Sequence, residues 1–241
     1  MLVPLLAAAA LLAPPPAWTP DVAAARAYAH TRPGVIAFAV RTDDRLWSFQ
    51  PDRRFPSASV LKAMLLVAYL RHARDRPLKH SERALLAPMI RRSDNFAATT
   101  ILDRLGYPAV VHLAHAAGMT RFVPGGAIWG NSQITARDQT RFFLHIDSLV
   151  PPRHRAYALR LLRTVIPAQR WGIGKVPLPG WTKFFKGGWG SGTGRVDHQV
   201  VLLVKGEERV SVAVLTVADG SHAAGQETLR GIFARLLRGL N

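Results

Sequence analysis

The sequence predicts an α+β fold: an antiparallel five-stranded sheet flanked by N- and C-terminal helices, with an all-helical subdomain inserted between the second and third strands. Two observations carry this. Strand-like runs occur only before residue 50 and after residue 180, whereas nearly every segment between 61 and 166 has helical character. The order helix, two strands, helical block, three strands, helix then allows both terminal helices to cover one face of a sheet assembled from distant parts of the chain. With 241 residues, 49% of them hydrophobic, there is enough chain for a sizeable core, and disordered and fibrous classes are excluded.

Taken in order, Met1 to Ala13 is an apolar block too short to span a bilayer and suited to the core of a secretory signal. Residues 1–17 are assigned to that signal, although the first basic residue is Arg26 and Pro15-Pro16-Ala17 only loosely matches a small-residue cleavage site. The expectation is a secreted, extracytoplasmic protein with no membrane span once the signal is removed. Pro20 to His30, with Val22, Ala25 and Ala29 in register, reads as a helix ended by Pro33-Gly34. Gly34 to Val40 and Arg45 to Phe49 read as a hairpin around Thr42-Asp43-Asp44. A strongly apolar helix opens at Ser59, and helical patterns follow at 81–90, 95–105, 108–117, 135–149 and 153–165. Strands are expected at 183–188, 199–205 and 209–217, and a closing helix at 222–240. Residues 18–58 and 172–241 thus form the sheet subdomain and 59–171 the helical one.

Composition narrows the chemistry. No cysteine is present, so disulfides, thiol nucleophiles and thiolate metal sites are excluded. His112 and His115 share a helix face, but no third ligand is near, and no metal site is expected. The formal net charge of +17 attracts polyanions. The basic residues are nevertheless dispersed, without a run of five or a nucleic-acid-binding motif, so an anionic cell-wall polymer fits the charge better than nucleic acid.

Three short motifs carry the functional reading. In Ser59-Val60-Leu61-Lys62, serine and lysine lie i, i+3 on a helix, one turn apart on a shared face, so the amine can come within reach of the hydroxyl. Val60, Leu61, Met64, Leu65, Leu66, Val67 and Leu70 make that helix apolar nearly all round, hence buried. Burial lowers an ammonium pKa, and the neutral amine can then take a hydroxyl proton. Ser93-Asp94-Asn95 joins two helices; Asp94 reads as an N-cap, while Ser93 and Asn95 can face one cleft. Lys186-Gly187-Gly188-Trp189-Gly190 lies on the first late strand, where glycine permits close approach of an extended substrate. It is no nucleotide loop, because it precedes a strand instead of opening a helix.

Ser59-x-x-Lys62, Ser93-Asp94-Asn95 and Lys186-x-Gly188, in this order and setting, resemble the class A β-lactamase and penicillin-binding protein superfamily of serine acyl-transferases over roughly residues 20–240. The resemblance implies Ser59 as acylated nucleophile, Lys62 as its base, Ser93 as proton relay and Asn95 as substrate ligand. It further implies that Lys186 and Arg195 favour a substrate carboxylate, that Gly188 lets the strand approach, and that the backbone amides of Ser59 and Trp189 form an oxyanion hole. No cofactor is implied, and a monomer is expected.

The sequence departs from that pattern in one consequential way. Class A enzymes hydrolyse their acyl-enzyme with a water held by a loop glutamate, and no glutamate occurs between Glu82 and Glu207. Asp138 fits better in a Thr135-x-x-Asp138 capping box, and Asn131 or Ser132 can orient a water without serving as its base. Gly187 replaces the usual hydroxyl residue. The expected activity is therefore acylation of Ser59 by a β-lactam or a D-Ala-D-Ala-like compound with slow deacylation. Two alternatives are a DD-peptidase acting on cell-wall peptides and a non-catalytic cell-wall-binding module.

Overall fold

A computed structural model of the chain describes residues 18–190 and 195–240; the apolar block read as a signal peptide lies outside them. Helix α1 (Val22–His30) begins where the Asp21 carboxylate accepts from the Ala24 amide at 2.9 Å, filling one of the orphan donors of the first turn. Strands β1 (Val35–Arg41) and β2 (Leu46–Phe49) make the expected hairpin. A two-residue strand β3 (Phe55–Pro56) and a 3₁₀ turn (Ala58–Val60) lead into α2 (Leu61–His72). The helical block follows as α3 (His80–Arg91) and α4 (Asn95–Ala116), then a short strand β4 (Gln133–Ile134), then α5 (Ala136–Leu144), α6 (Ile146–Leu149) and α7 (Pro152–Arg163). Strands β5 (Thr182–Gly190), β6 (Val196–Lys205) and β7 (Glu208–Val217) and helix α8 (His222–Leu236) complete the chain.

The sheet runs β2-β1-β7-β6-β5 with every neighbouring pair antiparallel, so the early hairpin joins the late strands through β1 and β7, and β5 is left as an edge. Successive side chains alternate between two cores, as a pleated strand requires. Phe38, Val40, Val212 and Val214 pack with Ala25 of α1 and Ile232 and Phe233 of α8. Ala37, Ala39, Ala213 and Leu215 pack with α2 and the other helices of the insertion. Helix α2 is buried from Leu61 through Leu70, in keeping with its all-round apolar sequence.

Four details differ from the expected elements. The helical block is interrupted by β4, which pairs with β3; two-residue strands are too short for alternation to show. The segments 95–105 and 108–117 form one run broken only at Gly106 (φ 67°, ψ 160°), a conformation glycine adopts freely, just before Pro108. The expected 135–149 helix splits at His145. Strand β6 starts three residues early, because Asp197 and His198 are polar yet buried with partners. Among the described residues no helix is long and apolar enough to cross a membrane.

Candidate active site

Ser59 sits in the 3₁₀ turn that starts α2, at the junction of the sheet and the helical block. Two anchors place it. The Ser57 amide donates to the Ser132 carbonyl at 2.7 Å, and the ring of His198 on β6 bonds the Pro56 carbonyl through Nε2 at 2.9 Å while its Nδ1 accepts from the Thr216 amide at 3.1 Å. Burial pushes His198 down to about 4, so it is a neutral, fixed brace. Ala58 is held at φ 42°, a left-handed conformation that L residues avoid; such strain persists only when the surroundings over-determine it. Ser93 has the same feature at φ 59°.

The edge strand β5 approaches this turn closely. A Cβ on Gly188 would lie 2.9 Å from Val60 N and 3.0 Å from Ser57 O and from Ser59 N, so only glycine lets the strand close on the serine. Ser59 is 7% exposed and lines a cavity of about 340 Å³ with Asn95, Trp129, Trp189 and Gly190. That exposure decides its availability: the residue is packed but reachable.

The two lysines converge on Ser93. Lys62 Nζ donates to the Ser93 carbonyl (2.5 Å) and Asn95 Oδ1 (2.6 Å) and lies 3.2 Å from Ser93 Oγ; Lys186 Nζ lies 3.0 Å from that same Oγ and donates to the Gly187 carbonyl at 2.6 Å. Both side chains are fully buried. Burial lowers Lys62 to about 7, with Asp94 opposing the shift; burial and then the positive charge of Lys62 take Lys186 well below its usual value. Two ammonium ions sharing one hydroxyl repel, so the arrangement favours at least one neutral amine. A neutral Lys62 keeps two N–H donors, matched by the two carbonyl-type acceptors, and turns its lone pair to a hydroxyl.

The expected direct bond between Ser59 and Lys62 is not formed: among the described residues the hydrogen bonds of Lys62 go to Ser93 and Asn95. The cause is lateral, since the Ser93 carbonyl and the Asn95 amide offer stronger acceptors than a hydroxyl. Asp94 is the N-cap of α4, accepting from Ala97 N at 2.8 Å. Asp138 is taken up by the Asp138 amide bond to Thr135 Oγ1 and by the amides of Thr120 and Arg121 at its carboxylate, which pins the loop leading to β4. Among the described residues no carboxylate lines the Ser59 cavity. Arg195 does not line it either; with φ 57° it borders a neighbouring cavity that shares Trp189 and Gly190.

Sequence reasoning missed Trp129, whose ring lies 5.0 Å from Lys62 Nζ and whose indole N–H donates to Thr99 Oγ1 at 3.1 Å. An aromatic face favours a cation nearby and excludes water from that side. An aromatic beside Gly130 in a loop carries no periodicity that would have singled it out. Exposed Ile128 lines the same opening. His198 was missed because a single polar residue in a strand gives no sign of its partner.

A model of the beta-lactamase enzyme family matches residues 74–239, a span that includes Ser93, Asn95 and Lys186 and begins after Lys62. No curated protein sequence matches significantly. Among solved structures, a beta-lactamase from Sphaerobacter thermophilus superposes with a TM-score of 0.78 at 22% identity, covering 92% of this chain and 98% of that one. A beta-lactamase from Desulfarculus baarsii gives 0.73 at 21% over 91% and 97%, and a representative of class A beta-lactamase from Bacteroides cellulosilyticus 0.76 at 14% over 93% and 99%. At these identities the superpositions speak for the fold.

Proposed function

The chain belongs to the beta-lactamase enzyme family, and from that premise we propose that Ser59 is the nucleophile of a serine acyl-enzyme hydrolase acting on β-lactam amides. The observation that carries this reading is the convergence of Lys62 and Lys186 on Ser93 Oγ, at 3.2 and 3.0 Å, beside a reachable serine. Ser59 Oγ attacks the carbonyl carbon while its proton passes to the neutral amine of Lys62. The oxyanion is held by the backbone amides of Ser59 and Trp189, each donor contributing about 3 kcal/mol to the transition state. As the C–N bond breaks, the leaving nitrogen takes a proton through the Ser93 hydroxyl, which Lys62 and Lys186 both contact. Asn95 binds the substrate's amide, and Lys186 draws its carboxylate toward the edge of β5, with Arg195 adding positive charge from the adjoining cavity.

Hydrolysis of the resulting ester needs a base for water. Among the described residues the cavity has no carboxylate, and the Trp129 ring lies against Lys62, so the acyl-enzyme is long-lived. A second reading, a DD-peptidase acting on cell-wall peptides, draws on the same carboxylate-free cavity; rates on a chromogenic cephalosporin and on a D-Ala-D-Ala peptide separate the two. Export to the cell exterior, resting on residues 1–17, and contact with anionic wall polymers, resting on the +17 charge, belong to the same proposal. The test is intact mass after incubation with a penicillin. The parent gains one ligand mass and retains it, and Ser59→Ala gains none; a parent that neither gains mass nor hydrolyses the drug overturns the reading.

A further inference from the structure

Beyond Trp189 and Gly190 lies a second cavity of about 350 Å³, bordered also by Arg195, Asp197, Ser221 and His222. It shares Trp189 and Gly190 with the Ser59 cavity. Its wall is built around a buried acid. Asp197, 3% exposed, accepts through Oδ1 from His222 Nδ1–H at 2.5 Å, and the Gln226 amide lies 2.8 Å from His222 Nε2. With Gln226 donating, both ring nitrogens of a neutral imidazole are satisfied and its tautomer is set. Gly225 makes the insertion possible, because a Cβ there would fall 2.1 Å from Asp197 Oδ2.

This pair reaches the reacting strand through aromatic contacts. The His222 ring stacks on Trp189 at 5.9 Å and 22°, and Trp171 stands edge-on to both, at 5.5 and 5.8 Å. Trp189 is the register partner of Asp197 across β5 and β6, and its ring centroid lies 5.8 Å from Lys186 Nζ. Asp197 therefore fixes His222, His222 fixes the Trp189 ring, and Trp189 terminates the stretch of β5 that closes on Ser59.

We propose that Asp197 and His222 are positioning residues for the acylation of Ser59, acting through Trp189 to hold the end of β5 in its productive place. The inference rests on the reading of Ser59 as nucleophile. Neither residue contacts Ser59 itself, and their effect is on the geometry of the donor strand, where displacements near 1 Å cost about 10²-fold in rate.

The charged groups facing His222 are Asp197 from β6, Arg195 just before that strand, Lys186 across the Trp189 ring from β5, and Asp219 from the β7–α8 connection, which acts on Asp197. Burial raises the Asp197 carboxyl to about 6, against the opposing bond from His222. As pH falls the Asp197–His222 pair takes up a proton as a unit, which alters the bond between carboxyl and ring and with it the hold on Trp189.

The experiment compares the parent with His222→Gln and Asp197→Asn from pH 5 to 8, reading the rate of acyl-adduct formation by mass and the Trp189 indole N–H resonance, assigned with Trp189→Phe. Both variants should acylate about tenfold more slowly at pH 7.5. The Trp189 resonance should titrate near pH 6 in the parent and stay flat in His222→Gln, a response that general loss of packing does not produce. Equal rates within twofold at every pH, or a parent resonance insensitive to pH, overturn the inference. A parent that forms no adduct instead defeats the assignment of Ser59, and the resonance titration still decides whether the pair holds Trp189.

Discussion

A lysine with no exposed surface is costly when charged, and Lys62 has none. Its ammonium loses hydration, which brings it to about 7, where the free amine is abundant at neutral pH. Acylation should accordingly rise about tenfold per pH unit up to pH 7 and level off above it, as measured by adduct formation at fixed penicillin concentration; a rate independent of pH from 5.5 to 8 would speak against Lys62 as base. Replacing Lys62 by Met should slow acylation by about 10²–10⁴-fold, the usual contribution of a positioned base. The Ser59–Lys62 spacing was legible in the sequence, because i, i+3 places two residues on one helix face. The final direction of the amine was not. Four methylenes let it turn to Ser93 and Asn95, and the ring of Trp129 near it comes from a segment far along the chain.

Elements explain why the candidate catalytic groups meet. Strand β5 can close on the 3₁₀ turn that starts α2 only through Gly188, so Gly188→Ala should force the strand away from Val60 N and Ser59 N. The expected result is an acylation rate reduced at least about tenfold with the fold retained, since a shift of the donor strand costs more in geometry than in packing; circular dichroism with the adduct assay separates the two effects. Helix α3 is tied down differently. Glu82 accepts from Tyr69 of α2, from Arg76 and from the Lys79 amide, and the bonds from Arg76 above all hold it near 2. A carboxyl lowered in the fold stabilises it above its unfolded pKa and loses that contribution as pH falls from about 4.5 toward 2. Glu82→Gln should therefore cost about 1–3 kcal/mol at pH 7 in urea unfolding, and the gap from the parent should narrow toward pH 3. Long periodic elements were readable from composition and spacing. The β3–β4 pair was not, for it consists of Phe55–Pro56 and Gln133–Ile134, whose meaning lies wholly in the long-range partner.

Over the whole molecule, buried lysines set one part of the pH dependence of stability. Unfolded lysines stay protonated to about 10.5, whereas folded Lys62 releases its proton near 7, so the unfolded chain binds more protons between these values. Stability from this group should rise with pH across that window, and the Lys62→Met protein should be more stable than the parent near pH 7 while losing that slope in urea titrations. Active sites commonly hold such destabilising groups, and their removal trades activity for stability. The early hairpin and the three late strands were legible in the order of elements, but their junction through β1 and β7 was not, since that pairing is set by long-range packing. The second cavity was not, since Asp197 and His222 stand apart in the sequence and meet only when α8 packs on β6. One measurement addresses the central claim most directly: the penicillin-treated protein is digested and the acyl group located by tandem mass spectrometry. The account predicts it on Ser59; an acyl group on Ser57 or Ser93, with Ser59 unmodified, would contradict it.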